Sequence, residues 1–214
     1  MTASEETIFF KAGALGLEGR LWLASGHDAV VITHPHPLYG GELNNPVVTV
    51  LTKVYQRLGY STLRFNFRGV GASEGDYDDG RGELDDLRAA GDVLQGLGKT
   101  VADLAGYSFG AWINLRLDPP IATVRQQVLV APPVAYMEFS FIPPVPAELT
   151  VIVGDRDSFA PLDLLRNRIP LWHPSGRLHV LPGADHFYQG ALDRLANLLE
   201  TVLIGAAESG CANT

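Results

Sequence analysis

The residues best suited to chemistry in this sequence form a G-x-S-x-G run at 106–110, which follows the apolar stretch 101–105. The apolar stretch predicts a strand and the residues from Ala111 onward predict a helix, so Ser108 lies in the turn between them. Such a turn holds a serine hydroxyl away from the sheet, where a base can reach it. It leaves little room for side chains on either side, which Gly106 and Gly110 satisfy. The pattern predicts Ser108 as a nucleophile.

An activated serine needs a base within hydrogen-bond reach and a carboxylate that orients the base. His186 is the best placed base, because it lies between the last predicted strand and the last predicted helix. Loops that follow parallel strands share one edge of a sheet, so His186 can meet Ser108 there. Asp155 and Asp157 both follow another predicted strand and stay open as alternatives for the acid. We favour Asp157, since an Asp directly after Gly154 often bonds its own backbone.

The attack of a serine on a carbonyl group develops negative charge on the oxygen, which two fixed N–H groups must hold. One is expected at Phe109, directly after the serine. The other is expected in the segment 34–41, His-Pro-His-Pro-Leu-Tyr-Gly-Gly, which follows a predicted strand. Its prolines have no N–H to donate, so His36 and Leu38 remain. We favour His36 as the second oxyanion donor.

Two other kinds of site have to be weighed against this interpretation. His34 and His36 could be metal ligands, but a metal hydrolase needs further ligands, and the remaining histidines are either assigned or badly placed. The glycines of segment 66–75 match neither of the common phosphate-binding patterns, so a structural turn is expected there. We therefore expect no metal and no cofactor.

The elements that must position these residues follow from the hydrophobic pattern. From residue 29 onward, continuous apolar runs alternate with helical patterns, which is typical of buried parallel strands. The runs are 29–32, 62–65, 101–105, 128–130, 150–153 and 178–181. Two earlier strands, 7–11 and 17–23, predict an antiparallel pair at the N-terminal edge. The expected fold class is α/β, with a doubly wound, mostly parallel sheet.

Helices are predicted between most of these strands. The first has Asn44 or Asn45 as its cap and Pro46 in its first turn, and the others begin near Glu83, after Ser108, at Pro161 and near Ala191. The proline-rich stretch 131–148 is about 18 residues long and irregular, so we expect a loop there and no cap domain.

Composition limits the partners and the location. The 214 residues predict one domain, 1–214, with a polar tail from about 205. The net charge is −8 and the basic residues are scattered, which excludes nucleic acid and anionic membranes as expected partners. No signal peptide or membrane span is indicated, and Cys211 is the only cysteine, so a cytoplasmic protein acting on a small molecule is expected. The amino-acid sequence indicates no particular oligomeric state.

Six segments together resemble the α/β-hydrolase superfamily, and within it the small cap-less bacterial hydrolases related to dienelactone hydrolase. They are HPHPLYGG at 34–41, LRFNFRGVG at 63–71, GRGEL at 80–84, GYSFG at 106–110, APP at 131–133 and GADHF at 183–187. The resemblance implies an α/β-hydrolase fold, with Ser108 as nucleophile and His186 as base. It implies Asp157 as the acid, because the family's G-x-x-D-x-x-V-P pattern aligns with Gly154, Asp157 and Pro161. Ala160 departs from that pattern, and dienelactone hydrolase uses cysteine where this chain has serine.

The expected function is a serine hydrolase that cleaves carboxylic esters of short to medium acyl chain through an acyl-enzyme. Without a cap, the pocket should be open, and its expected lining comprises Leu38, Tyr39, Phe109, Phe139, Phe187 and Tyr188. Two alternatives stay open. An acyltransferase or perhydrolase would use the same three residues with another acceptor, and a catalytically silent member of the fold would act as a binding protein.

Overall fold

The chain forms an eight-stranded sheet, seen in a computed structural model that describes residues 4–140 and 142–211, the last six as backbone only. The strands are β1 (Glu6–Ala12), β2 (Leu15–Trp22), β3 (Asp28–Thr33), β4 (Ser61–Phe65), β5 (Thr100–Tyr107), β6 (Gln126–Val130), β7 (Glu148–Gly154) and β8 (Arg177–Leu181). The helices are α1 (Pro46–Arg57), α2 (Gly82–Gly96), α3 (Phe109–Leu115), α4 (Leu162–Trp172) and α5 (Leu192–Cys211).

The strand order is β1-β2-β4-β3-β5-β6-β7-β8. The pairs β1/β2 and β2/β4 are antiparallel and the other pairs are parallel, which confirms the predicted sheet with its antiparallel N-terminal edge. From β3 the chain first crosses to β4 on one side and then returns to β5 on the other. The carboxyl ends of β3 and β5 therefore flank the switch point of the sheet, where open α/β folds bind ligands.

Both faces of the sheet are covered by helices, which explains the continuous apolar runs of the parallel strands. In β3, Ala29 and Val31 face a hydrophobic cluster shared with α2, α3 and α4. Val30 and Ile32 face a second cluster, shared with α1 and α5. The alternation within one strand thus separates the two cores, and the site lies at the edge between the layers.

The observed helix ends test the predicted ones. The Asn45 side chain accepts a hydrogen bond from the Val47 N–H at the start of α1, and Pro46 is its first residue, as the sequence predicts. Part of the polar tail expected from about residue 205 is helical, since α5 continues to Cys211. Ala206, Ala207 and Glu208 are strong helix formers, so the helix continues once its apolar face is packed. Residues 212–214 of the expected tail lie outside the described residues.

The segment between β6 and β7 leaves the site without a cap. In its described part, up to residue 140 and from 142 onward, it contains no helix or strand. Val134 and Val145 anchor it in the core, and the Trp112 Nε1 atom donates a hydrogen bond to its Glu138 carbonyl. Among the described residues, no helix is long and apolar enough to cross a membrane.

Candidate active site

Ser108 occupies the sharp turn between β5 and α3. Its backbone has φ 53° and ψ −113°, a left-handed conformation that is strained for a residue with a side chain. A Cβ atom at Gly106 would lie 2.6 Å from the Gly110 carbonyl carbon, and one at Gly110 would lie 2.5 Å from the Thr33 carbonyl oxygen. Both positions therefore require glycine for the turn to form.

Ser108, His186 and Asp157 form one hydrogen-bonded chain. The Ser108 Oγ atom lies 3.0 Å from His186 Nε2, and His186 Nδ1 lies 2.8 Å from Asp157 Oδ2. All three side chains are buried. A carboxylate accepts the Nδ1–H of the imidazole, which leaves the Nε2 lone pair directed at the serine hydroxyl. The arrangement can remove the hydroxyl proton from Ser108.

Asp157 is held for this task by its own loop. Its second oxygen, Oδ1, accepts hydrogen bonds from the Phe159 N–H at 2.8 Å and the Ala160 N–H at 2.9 Å. Hydrogen bonds to both oxygens fix the orientation of the carboxylate. Asp155 is exposed and accepts the Gly183 N–H at 2.6 Å, so it braces the turn after β8. Of the two carboxylates that the sequence left open, the structure places Asp157 beside the histidine.

Three aromatic rings surround the His186 imidazole. The Phe159 ring stacks on it with a centroid distance of 4.4 Å and an interplanar angle of 23°, and the Phe187 ring contacts it edge-on at 5.5 Å. The Tyr107 hydroxyl donates to the His186 carbonyl at 2.8 Å. Sequence reasoning missed Phe159, although its position two residues after Asp157 could have indicated it.

The segment after β3 lies across the turn from His186. The Leu38 N–H donates to His36 Nδ1 at 3.2 Å, and the His36 carbonyl accepts from the N–H groups of Tyr39 and Gly41. Because the Leu38 N–H already donates to the His36 ring, the His36 N–H is the better of the two predicted oxyanion donors. The His36 and Phe109 ring centroids are 4.9 Å apart, which brings this segment to the first residue of α3. The first N–H groups of a helix have no partner within it, so the Phe109 N–H suits the other donor.

His34 is completely buried beneath this segment. Its Nδ1 atom lies 2.6 Å from the Pro35 carbonyl, and its Nε2 atom accepts the Phe67 N–H at 3.0 Å. Burial lowers the pKa of His34 to about 4. Since both ring nitrogens bond backbone groups, His34 is not available as a metal ligand. The described residues contain no group of three or more His, Cys, Asp or Glu side chains that could hold a metal ion.

This buried histidine predicts a loss of stability in acid. Its pKa falls from 6.5 in the unfolded chain to about 4 in the folded one, so between these values only the unfolded chain takes up the proton. Stability is therefore present above pH 6.5 and declines as the pH falls towards 4. At about 1.4 kcal/mol per pKa unit, the decline reaches roughly 3 kcal/mol.

Urea unfolding of the wild type and His34→Asn from pH 7.5 down to pH 4.5 measures this decline. The wild type should lose stability relative to the variant over this range, because asparagine does not titrate. Parallel curves for the two proteins would contradict the assigned protonation of His34.

The residues predicted to line a pocket divide into an exposed group of three and a buried group that comprises Phe109, Phe139 and Tyr188. Leu38, Tyr39 and Phe187 are 65%, 85% and 57% exposed and lie on the segments that carry His36 and His186. The prediction for Tyr188 is wrong, because its side chain is completely buried and its hydroxyl donates to the Ile152 carbonyl. Its positive φ of 53° marks the turn at which the chain direction changes after Phe187.

Phe139 is also misplaced by the sequence prediction. Its side chain is buried in the core with its ring 5.3 Å from the Trp172 ring, so it anchors the segment between β6 and β7. Two other aromatic residues lie near the site that the sequence did not indicate. The Tyr77 ring is 5.0 Å from the His36 ring, and the Tyr136 ring is 4.6 Å from the Phe159 ring. Aromatic faces thus occur on both sides of the Ser108–His186 pair.

Comparison with known proteins gives consistent matches over most of the chain. The model of the alpha/beta hydrolase family matches residues 30–207. The structure of an alpha-beta serine hydrolase homologue from Coxiella burnetii has a TM-score of 0.85 and 35% identity, covering 95% of this chain and 99% of that chain. An α/β serine hydrolase without lid from Xanthomonas campestris has a TM-score of 0.83 and 28% identity, covering 94% of each chain.

A third relative is similar along its sequence. An uncharacterized protein of Rickettsia prowazekii is 34% identical over 209 residues, which cover 92% of this chain and 88% of that protein. The TM-scores show that the folds are alike, and the lack of a lid in the Xanthomonas campestris protein agrees with the described part of the segment between β6 and β7, which forms no helix or strand. The narrower relation to dienelactone hydrolase stays a prediction.

Proposed function

The chain belongs to the alpha/beta hydrolase family, and from this we propose that it is a serine hydrolase that cleaves carboxylic esters through an acyl-enzyme. The observation that carries the proposal is the unbroken hydrogen-bonded chain from Ser108 Oγ through His186 to Asp157. These side chains supply a nucleophile, a base and an orienting acid, so the proposed reaction needs no cofactor.

In the first half of the reaction, His186 Nε2 takes the hydroxyl proton as Ser108 Oγ attacks the ester carbonyl. Asp157 stabilises the imidazolium that forms. The tetrahedral intermediate collapses as the imidazolium gives its proton to the leaving alkoxide. The alcohol leaves and the acyl group remains on Ser108.

In the second half, a water molecule replaces the alcohol. His186 takes a proton from the water, and the resulting hydroxide attacks the acyl carbon. The oxygen of Ser108 leaves and recovers its proton from His186, which releases the carboxylic acid. In both halves the N–H groups of Phe109 and His36 hold the negative carbonyl oxygen.

The exposed apolar side chains on the segments that carry His36 and His186 favour short and medium acyl chains. Leu38, Tyr39 and Phe187 are exposed, and the rings of Tyr39 and Phe187 contact those of His36 and His186. A long acyl chain would leave most of its surface in water, because the described residues form no cap over the site. Each further methylene then adds little to transition-state binding.

Hydrolysis of nitrophenyl acetate, butyrate, octanoate and palmitate tests the proposal. We expect a burst of nitrophenol close to one equivalent per enzyme, followed by steady turnover. The value of kcat/KM for palmitate should be at least about tenfold below that for butyrate, a difference of about 1.4 kcal/mol in transition-state stabilisation. A folded protein that turns over none of these esters would contradict the proposal.

The same assay separates the alternative acceptors. The same three residues could transfer the acyl group to an acceptor other than water, which keeps an acyltransferase or perhydrolase as the second candidate. Adding an alcohol or peroxide and identifying the acyl product decides between them: a hydrolase yields mainly the free acid. A protein of the third kind, a silent binding protein, would show neither product.

A further inference from the structure

The peptide unit between Pro35 and His36 links the buried His34 to the site. A trans peptide is planar, and its C=O and N–H groups point in opposite directions. The Pro35 carbonyl points at His34 Nδ1, 2.6 Å away. The N–H of the same peptide unit, which belongs to His36, is therefore directed away from His34. Any rotation of this plane moves the proposed oxyanion donor by the same angle.

The tautomer of His34 is determined by the hydrogen bond that its ring accepts from Phe67. The Phe67 N–H donates to His34 Nε2 at 3.0 Å, so Nε2 carries a lone pair. A neutral imidazole then has its proton on Nδ1 and donates it to the Pro35 carbonyl. Burial lowers the pKa of His34 to about 4, so the ring stays neutral at any pH at which a histidine base can work. Both bonds persist under working conditions.

The other side of the Pro35 carbonyl is closed by Gly41. A Cβ atom at position 41 would overlap the carbonyl carbon and oxygen of Pro35. Gly41 also donates its N–H to the His36 carbonyl at 3.0 Å. The peptide plane is thus held between a donor on one side and a close backbone contact on the other.

We propose that His34 is a positioning residue for the oxyanion hole, which orients the His36 N–H through its hydrogen bond to the Pro35 carbonyl. The inference rests on the proposed function, because it concerns a donor that acts only when an acyl carbonyl is attacked. His34 does not touch the substrate. Its effect belongs to the transition state, so it should appear in kcat more than in KM.

Two substitutions of His34 each keep one of the two hydrogen bonds of its ring and remove the other. In His34→Asn, the side-chain amide lies near the place of Nδ1 and can still donate to Pro35, but it does not reach Phe67. In His34→Gln, the amide extends to the place of Nε2 and can accept from Phe67, but it leaves the Pro35 carbonyl without its donor. Both variants lack the imidazole ring, but only His34→Asn keeps the donor to the Pro35 carbonyl. A difference between the two variants therefore reports on that hydrogen bond.

We expect His34→Gln to lower kcat for nitrophenyl butyrate by roughly ten- to a hundredfold with little change in KM, since losing an oxyanion donor outright costs about 10² to 10³. His34→Asn should retain several times more activity than His34→Gln. The rate of reaction with a fluorophosphonate should also be lower in His34→Gln than in His34→Asn, because the phosphoryl oxygen is held by the same N–H groups. Circular dichroism and urea unfolding check that both variants are folded.

Gly41→Ala displaces the Pro35–His36 peptide unit from the opposite side. This variant tests the inference if His34→Gln does not fold. Its kcat should also fall with KM nearly constant. An unchanged kcat in a folded His34→Gln or Gly41→Ala, or equal losses in the Gln and Asn variants, would overturn the inference. Failure of the proposed function is distinguishable, because the wild type itself would then neither turn over the ester nor react with the phosphonate.

Discussion

Replacing Ser108 by alanine is expected to lower kcat/KM for nitrophenyl butyrate by a factor on the order of 10⁴ to 10⁶. The Oγ atom lies 3.0 Å from the only base in the hydrogen-bonded chain, and without it no acyl-enzyme can form. Alanine removes only the Oγ atom and keeps the Cβ atom in the turn, so the protein should still fold. The loss should appear in kcat, with the residual rate coming from the oxyanion donors and the histidine acting on water.

Intact mass after incubation with a fluorophosphonate checks the same substitution independently of any substrate. We expect one adduct on the wild type and none on Ser108→Ala. Ser175→Ala is the matched control, since Ser175 is exposed and lies in the turn between α4 and β8. It should give the wild-type adduct and the wild-type rate. An adduct on folded Ser108→Ala would show that another residue is the nucleophile.

Asp157→Asn is expected to lower kcat by a factor on the order of 10⁴ while the protein stays folded. The amide introduced by this substitution can still accept from Phe159 and Ala160, but it presents an N–H₂ group to His186 Nδ1. The imidazole must then change tautomer and direct an Nε2–H at Ser108. A protonated Nε2 cannot accept the serine proton, so the base is lost although every atom remains near its place.

Asp155→Asn is the matched control for this prediction. Its amide oxygen can still accept the Gly183 N–H, and its side chain is exposed and away from His186. The rate should stay within about threefold of the wild type, as for most surface substitutions. A large loss in Asp155→Asn and none in Asp157→Asn would reverse the assignment of the acid. Stopped-flow measurement of the nitrophenol burst shows which half of the reaction slows.

The Gly-Arg-Gly-Glu-Leu segment at 80–84 shows how a motif with charged residues can serve the fold. Glu83 is completely buried and accepts the N–H groups of Asp78 and Gly80 at 2.9 and 2.8 Å. A Cβ atom at Gly82 would overlap the Arg68 guanidinium, which itself pairs with the buried Asp86 at 2.8 Å. This network supports the loop that carries Tyr77 towards His36.

Most of the sheet could be predicted from the sequence because its signals are local. Each parallel strand is a continuous apolar run bounded by turn residues, and each such run coincides with an observed strand within a few residues. The turn at Ser108 is local as well, since it depends on two glycines within two residues of the serine. The chain order of Ser108, Asp157 and His186 followed from which strand each residue comes after.

The errors occur where the direction of a side chain is set by distant contacts. Tyr188 and Phe187 are neighbours, yet one is completely buried and the other is 57% exposed. No local pattern separates them, because the difference arises from the turn before α5 and from packing on the second core. Phe139 is buried for a similar reason, in contact with Trp172 from α4.

The sequence by itself determined the order of strands and helices along the chain, the turn that holds Ser108 away from the sheet, and the candidate groups at the strand ends. These depend on the spacing of apolar residues, on glycine's lack of a side chain and on proline's lack of an N–H. Only the tertiary structure decided between Asp155 and Asp157, placed Phe159 on the imidazole and directed both nitrogens of His34 at backbone groups. Each of these depends on distances between residues far apart along the chain, which only the packed sheet and its loops bring within contact.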